Sequence, residues 1–173
     1  MFRIEPLGRH HNRERFDCGN SDLNGYLKRI ARQHADKGLA RTFVLLDDSD
    51  PQNILGFFTL SVCEIRSEQL PPQLAKKYPP IVPAAKLARL AVSRNRQREG
   101  LGRHMMVHAL RLVLQVSDNV GIIGFFVDAK DDEAGHYYRQ YGFIPLPDDP
   151  LQLFLPLATL RQIFRKPETG SAE

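Results

Sequence analysis

Apolar and polar positions alternate weakly over residues 2–7, which predicts a first strand. Leu23, Tyr26, Leu27, Ile30 and Ala31 then recur at helical spacing and form one apolar face. Asn20 or Ser21 supplies a side-chain acceptor for the open N–H groups of that helix's first turn, and Gly38 is the expected stop. Lys28, Arg29 and Arg32 fall on its solvent side. Residues 42–46 and 54–65 are β-rich runs around the turn-forming stretch 47–53, so 42–65 reads as a hairpin. Pro71, Pro72, Pro79, Pro80 and Pro83 follow. Because proline lacks the N–H a central strand or helix interior needs, 67–83 is expected to be largely loop.

Beyond the prolines the pattern predicts a strand at 87–92 and a long helix at 100–116, with Leu101, Met105, Ala109, Leu112 and Val116 on one stripe. A buried strand at 122–127, a short helix at 131–141 and strands at 143–146 and 151–155 complete the pattern, with a last helix to about residue 164. The order is mixed α/β, of α+β type, with strand–helix–strand in the second half. A chain of 173 residues, 42% hydrophobic and 25% charged, accommodates one core and not two comfortable ones. Residues 1–165 are therefore expected to form one domain, and the polar tail 166–173 to fray. No stretch reaches the roughly 18 to 20 apolar residues of a membrane span, and no secretory signal pattern opens the chain. Two cysteines, Cys18 and Cys63, are too few for a disulfide scaffold or zinc ribbon and read as small packing residues. The cytoplasm is the expected compartment.

Charge narrows the reading once it is counted by segment. The formal net charge is only +4. Residues 89–111 nevertheless carry six arginines against one glutamate, and 26–41 five basic residues against one aspartate, so the rest of the chain is net acidic. Two basic segments point to anionic partners.

The first of these segments holds the candidate chemistry. A strand ending at Val92 runs through Ser93-Arg94-Asn95-Arg96-Gln97-Arg98-Glu99 into a helix that opens around Gly100 and Gly102. That geometry aims unpaired N–H groups and a positive helix end at one point, a site suited to an anion with several oxygens. It has neither the Gly-Lys-Ser/Thr of a P-loop nor the three-glycine dinucleotide spacing. Gln97-x-x-Gly100-x-Gly102 instead resembles the signature with which the GNAT family of N-acetyltransferases holds the pyrophosphate of acetyl-CoA. The block 128–143, with Ala134, Tyr137, Tyr138 and Gly142-Phe143, resembles that family's second recurring motif.

The resemblance implies a single mixed, mostly antiparallel sheet flanked by helices, with acetyl-CoA in the cleft between two central splayed strands. It implies cofactor contacts from Leu90, Ala91, Val92, Gln97, Arg98, Glu99, Gly100, Leu101, Gly102 and Arg103, and places Tyr138 beside the thioester sulfur as general acid. Tyr137 is expected in the core, and Tyr141 is left open. Phe16-Asp-Cys-Gly19, Gly56-Phe-Phe-Thr-Leu-Ser61, Ala88-Arg-Leu-Ala-Val92 and Leu153-Phe-Leu-Pro-Leu157 resemble a narrower group, the GNAT toxins of type II toxin–antitoxin modules. Membership would imply acetylation of the α-amino group of aminoacyl-tRNA, arrest of translation, a ribbon-helix-helix antitoxin and a homodimer.

Acyl transfer to such an amine fits the residues present. A peptide-like α-amine titrates near pKa 7.7–8.0, so part of it is neutral at pH 7 and a dedicated base is less necessary. A backbone N–H at the end of the 90–92 strand can hold the carbonyl. Arg98 and Arg103 flank the glycines and suit coenzyme phosphates. Arg89, Arg94 and Arg96, with Lys28, Arg29 and Arg32, are the candidate RNA contacts. His104, His108 and His136 lack metal-ligand spacing, so no metal is expected. Two competing readings share the fold: an acetyltransferase acting on a protein N-terminus or small amine, and a non-catalytic acyl-CoA-binding module.

Overall fold

A computed structural model describes residues 1–165; the tail expected to fray, 166–173, lies outside the described residues. In chain order the elements are β1 (Phe2–Pro6), α1 (Ser21–Gly25), a π-type turn at Tyr26–Ile30, α2 (Ala31–Asp36), β2 (Arg41–Asp47) and β3 (Gly56–Arg66). Then come α3 (Pro72–Ala75), β4 (Ile81–Val92), α4 (Leu101–Asn119), β5 (Gly124–Asp128), α5 (Asp132–Arg139), β6 (Ile144–Pro145), β7 (Gln152–Pro156) and α6 (Leu157–Ile163). The strands form one seven-stranded sheet in the order β1-β2-β3-β4-β5-β7-β6. Every pairing is antiparallel except β4 with β5, which are parallel and joined through α4. A parallel pair needs such a crossover because a tight turn cannot return the chain in the same direction.

Strand alternation divides the core into layers. On one face Leu45, Phe58, Ala85, Leu87, Phe125 and Val127 pack against Leu101, Met105, Met106, Ala109, Leu110 and Val113 of α4. The other face carries two separate clusters. Val44, Leu46, Phe57 and Ala91 meet Tyr26, Leu27 and Ala31 in one, and Ile65, Val82, Ala84, Phe126 and Phe154 meet Leu70 and Leu146 in the other. Burying each large apolar side chain contributes roughly 1.5–3 kcal/mol, so the α4 layer is the main fastening of the sheet's centre.

Local signals place the element ends. Asn20 Oδ1 accepts from the N–H groups of Asp22 and Leu23 and starts α1. At the other end the Leu39 N–H donates to the His34 carbonyl and the Gly38 N–H to Ala35, closing α2. The hairpin, the long helix and the last two strands stand within a few residues of their expected places.

Four details differ from the sequence reading. β4 begins at Ile81 and contains Pro83, although a central strand ordinarily excludes proline. Pro83 is tolerated because its N and carbonyl face the β5 side, where the ladder has not begun; the carbonyl accepts from the Ile123 N–H at 2.9 Å. Ile122 and Ile123 precede β5, and Phe143 precedes β6. Ile30 is exposed because the π-type turn carries an extra residue and rotates it outward. On α4, Leu112 is half-buried and Val116 exposed, since steps of four residues drift off the buried face, which continues through Met106, Leu110 and Val113.

At Gly124 a Cβ would lie inside contact distance of the Leu155 carbonyl oxygen and the Phe154 ring. Gly124→Ala should therefore force β5 and β7 apart and destabilise the fold by about 1–3 kcal/mol, read as a lower urea midpoint at unchanged slope.

Candidate active site

The site is built where β4 and β5 part. Their parallel pairing covers only Ala85↔Phe125, Lys86↔Phe126 and Leu87↔Val127. Beyond that rung β4 continues to Val92 on β3 alone, and an irregularity opposite Thr59 and Leu60 leaves Ala88 as an extra residue. The Ser93 N–H donates to the Leu55 carbonyl at 2.8 Å on the β3 side. By alternation Ala91 faces the same way, so Leu90 and Val92 turn their N–H groups into the gap left by β5.

The chain then turns through Arg94–Arg96 into α4. Arg98 has φ 66° and Gly100 φ 79°, a left-handed bend that Gly100 makes without a Cβ penalty. Gly100 is the N-cap of α4, no side chain caps it, and no acidic residue lies in the first turn. The N–H groups of Leu101, Gly102 and Arg103 are thus open, backed by the positive end of a helix running from Leu101 to Asn119. Gln97 Nε2 donates to the Val92 and Cys18 carbonyls, each at 3.1 Å, and ties this loop to the strand end and to the segment ahead of α1.

A cleft of about 470 Å³ opens over these groups. Of the expected cofactor residues, Leu90, Ala91, Val92, Gln97, Arg98, Gly100, Leu101, Gly102 and Arg103 line it. Glu99 does not; its carboxylate pairs with Arg96 at 2.6 Å. Cys18, Asn20, Leu23, Lys130 and Tyr137 also line the cleft. The first three are brought in by packing of the N-terminal segment, which leaves no signature in the sequence. Tyr137, expected in the core, is half-buried and faces the loop, its hydroxyl 3.6 Å from where a Gly102 Cβ would stand.

Asp131 caps α5 through the Ala134 N–H at 2.8 Å, and the helix presents three tyrosines. Tyr137 and Tyr141 share a hydroxyl–hydroxyl bond of 2.9 Å. Burial, then that bond, holds the Tyr137 phenol far above its ordinary range. Tyr138 packs against Phe143 and the α4-side core, and burial pushes its pKa up to about 12. Unlike Tyr137 it does not line the cleft; its hydroxyl has no hydrogen-bond partner among the described residues and is not sealed from solvent, which leaves a neutral O–H available as a donor.

The candidate RNA-contacting residues do not form one group. Arg89 stacks on Tyr26, its guanidinium carbon 3.6 Å from the ring centroid, beside the helical segment that carries Lys28, Arg29 and Arg32. Arg94 lies next to Gly19 and 3.9 Å from Asp17, near the start of that segment. Arg96 turns the other way, toward Phe2 and its neighbour His104 on the α4 side, and is held by Glu99.

Among the described residues the grouping with metal-ligand spacing is Glu5, His10 and His11. Buried His11 is already committed: Nδ1 accepts the Gly8 N–H at 2.9 Å, so Nε2 carries the proton it shares with Glu5 at 2.7 Å. No lone pair is left for a metal. Burial pushes the Cys63 thiol up, in keeping with a packing role.

A mixed sheet splayed at its parallel pair, with an open helix N-terminus beside the gap, is the architecture of an acyl-CoA-dependent transferase. Residues 38–145 match the acetyltransferase (GNAT) domain family, and the chain belongs to it. It is 32% identical over 148 residues to the tRNA-acetylating toxin of Mycobacterium tuberculosis, covering 86% of this chain and 87% of that protein. The structure of AtaT complexed with acetyl-methionyl-tRNAfMet superposes with a TM-score of 0.86 at 33% identity, over 95% of this chain and 100% of AtaT. AtaTR bound with AcCoA gives a TM-score of 0.80 at 33% identity, over 95% of this chain and 98% of the other.

Because both phenols are pushed upward, Tyr137 and Tyr138 should stay protonated through pH 10, where an ordinary tyrosine is half ionised. Ultraviolet titration should show their ionisation only as the fold is lost at higher pH, and the Tyr138→Phe variant should titrate like the parent below that point.

Proposed function

We propose that this chain is the toxin of a type II toxin–antitoxin module: an N-acetyltransferase that moves acetyl from acetyl-CoA to the α-amino group of aminoacyl-tRNA and so stops translation. We further propose that it pairs with a ribbon-helix-helix antitoxin and acts as a homodimer. The observation that carries the reading is the conjunction, over one cleft, of open α4 N–H groups and the free edge of β4, with the tyrosine-bearing helix α5 reaching the cleft through Tyr137. The acceptor is supported by the similarity to the tRNA-acetylating toxin and to AtaT with its acetylated tRNA, and the antitoxin by a similar AtaT structure bound to the C-terminus of the antitoxin AtaR.

In this reading the N–H groups of Leu101, Gly102 and Arg103 hold the pyrophosphate, and Arg98 and Arg103 offset its charge. A Cβ on Gly102 would sit 3.6 Å from the Tyr137 hydroxyl, so glycine keeps the space above the helix end open. The free edge of β4 from Leu90 to Val92 aligns the donor's amide-bearing arm. Acetyl-CoA supplies the activated acyl group as a thioester. The Leu90 N–H, unpaired because β5 has diverged, hydrogen-bonds the carbonyl as negative charge develops there. Tyr138 donates its proton to the departing sulfur, its raised pKa keeping that proton in place until the sulfur becomes basic, and the proton the amine sheds on becoming an amide passes through solvent to restore the phenol. Lys28, Arg29, Arg32, Arg89 and Arg94 take up RNA phosphates on the α1–α2 side, Arg96 only after release from Glu99.

With purified chain, acetyl-CoA and charged tRNA, Tyr138→Phe should lower kcat by about 10²–10⁴-fold while leaving acetyl-CoA affinity within twofold. Equal turnover by the variant would overturn the assigned acid. Apparent tRNA affinity should fall linearly with salt on logarithmic axes. Replacing Lys28, Arg29 and Arg32 with alanine should make that slope shallower by roughly 0.7–0.9 for each phosphate no longer neutralised. A salt-insensitive reaction would instead favour a small amine or protein N-terminus.

A further inference from the structure

The sheet face opposite α4 holds three charged side chains beside the divergence of β4 and β5, and the proposed chemistry leaves two of them unused. Lys86 and Asp128 bridge the two strands there: Lys86 Nζ stands 3.1 Å from Asp128 Oδ2. Lys86 belongs to the middle rung of the parallel pairing, and Asp128 follows the last one, Leu87↔Val127. The ammonium also lies 5.8 Å from the centroid of Phe126, an aromatic of the cluster opposite α4, which fixes the side of the sheet on which the pair sits. The third group is Arg89, stacked on Tyr26, whose own hydroxyl is bonded to His34 Nδ1 at 3.2 Å. The pair's side chains retain 32% and 50% of their exposure, so its carboxylate has free acceptor sites facing solvent.

A half-exposed ion pair contributes little to stability, and the strands are already fastened by their ladder and by the α4 layer. Its placement has a chemical use. Tyr138 packs in the α4-side core, and α4 supplies the helix end that anchors the pyrophosphate in the proposed function, so the donor's phosphates and thioester are assigned to that side, while Cys18, Leu23 and Ala91 carry the cleft past the strand end to the cluster opposite α4. The route left to an acceptor in this assignment is the opposite face beyond that cleft, past Asp128 and Arg89. An aminoacylated 3′ end carries an amine a few bonds from a ribose and its phosphate. Arg89 has no ion pair or hydrogen-bond acceptor among the described residues and suits the phosphate. A carboxylate at the mouth suits the amine.

We propose that Asp128, held in place by Lys86, accepts a hydrogen bond from the α-amine of the acceptor and points its lone pair into the gap between β4 and β5. This inference rests on the aminoacyl-tRNA reading and adds to it the group that recognises the amine. Lys86 is a positioning residue: it fixes one carboxylate oxygen and leaves the other for the substrate. It also holds the carboxylate's charge partly balanced before the acceptor arrives.

The test uses the full chain with saturating acetyl-CoA and both charged and uncharged tRNA. Asp128→Asn and Asp128→Ala should raise KM for charged tRNA by about 10- to 100-fold, the effect of losing one hydrogen bond to a charged group. Acetyl-CoA affinity and thermal midpoint should match the parent. Binding of uncharged tRNA, which lacks the amine, should also be unchanged in these variants, whereas Arg89→Ala should weaken binding of both tRNAs. Lys86→Gln should give a smaller rise in KM, and Asp128→Glu should recover part of the loss. A KM for charged tRNA within twofold of the parent, or equal weakening of charged and uncharged tRNA, overturns the role of Asp128 while leaving the proposed function intact. Absence of turnover by the parent chain on charged tRNA overturns both.

Discussion

Everything at the candidate site depends on a hydrogen-bond ladder that stops. β4 and β5 share a short parallel pairing that ends at Leu87 and Val127, yet β4 continues to Val92 because β3 alone satisfies its inner edge. A buried strand edge with open N–H groups is costly unless something pairs with it. Here α4 and α5 cover the α4-side core around the divergence while the gap itself stays open. The sheet thus offers backbone donors to a ligand at a fixed position, without any loop having to fold over it.

The loop between β4 and α4 converts that edge into a site for charge. Its left-handed residues, Arg98 and Gly100, bring α4 in with its first turn uncapped, and Gln97 pins the loop to Val92 and to the N-terminal segment. Most helices satisfy their first turn with a Ser, Asp or Asn side chain, as α1 does with Asn20. α4 leaves these groups open where the cleft lies, and the Arg98 and Arg103 side chains reinforce the same polarity. Tyr137 of α5 completes the lining from the other strand, since α5 follows β5 directly.

Much of this could be read along the chain because its signals are local. The stripe of α4, the Gln97–Gly102 spacing and the cluster Tyr137, Tyr138 and Gly142-Phe143 lie within short stretches, and each reports the element it sits on. The departures from that reading are non-local. Pro83 fits a central strand because the β5 ladder begins only at Ala85, so the edge that lacks an N–H needs only the Pro83 carbonyl, which Ile123 satisfies. Ile30 leaves the buried face because the π-type turn rotates it away. Glu99, within the loop by position, is drawn off by Arg96, and Tyr137 lines the cleft instead of the core, its hydroxyl beside Gly102.

The sequence by itself determined the elements, the glycine-bearing loop ahead of α4 and the tyrosine-bearing helix, because periodicity, capping and glycine placement act over a few residues. Only the tertiary structure decided which charged side chains share a face. Arg89, Arg94 and Arg96 lie within eight positions of one another, yet the fold sends Arg89 onto Tyr26, Arg94 toward Asp17 and Arg96 to the α4 side. Lys86 and Asp128, far apart in the chain, meet because a parallel crossover sets their strands side by side. Strand pairing is a long-range choice made by packing, and the mouth of the site is made of such pairings.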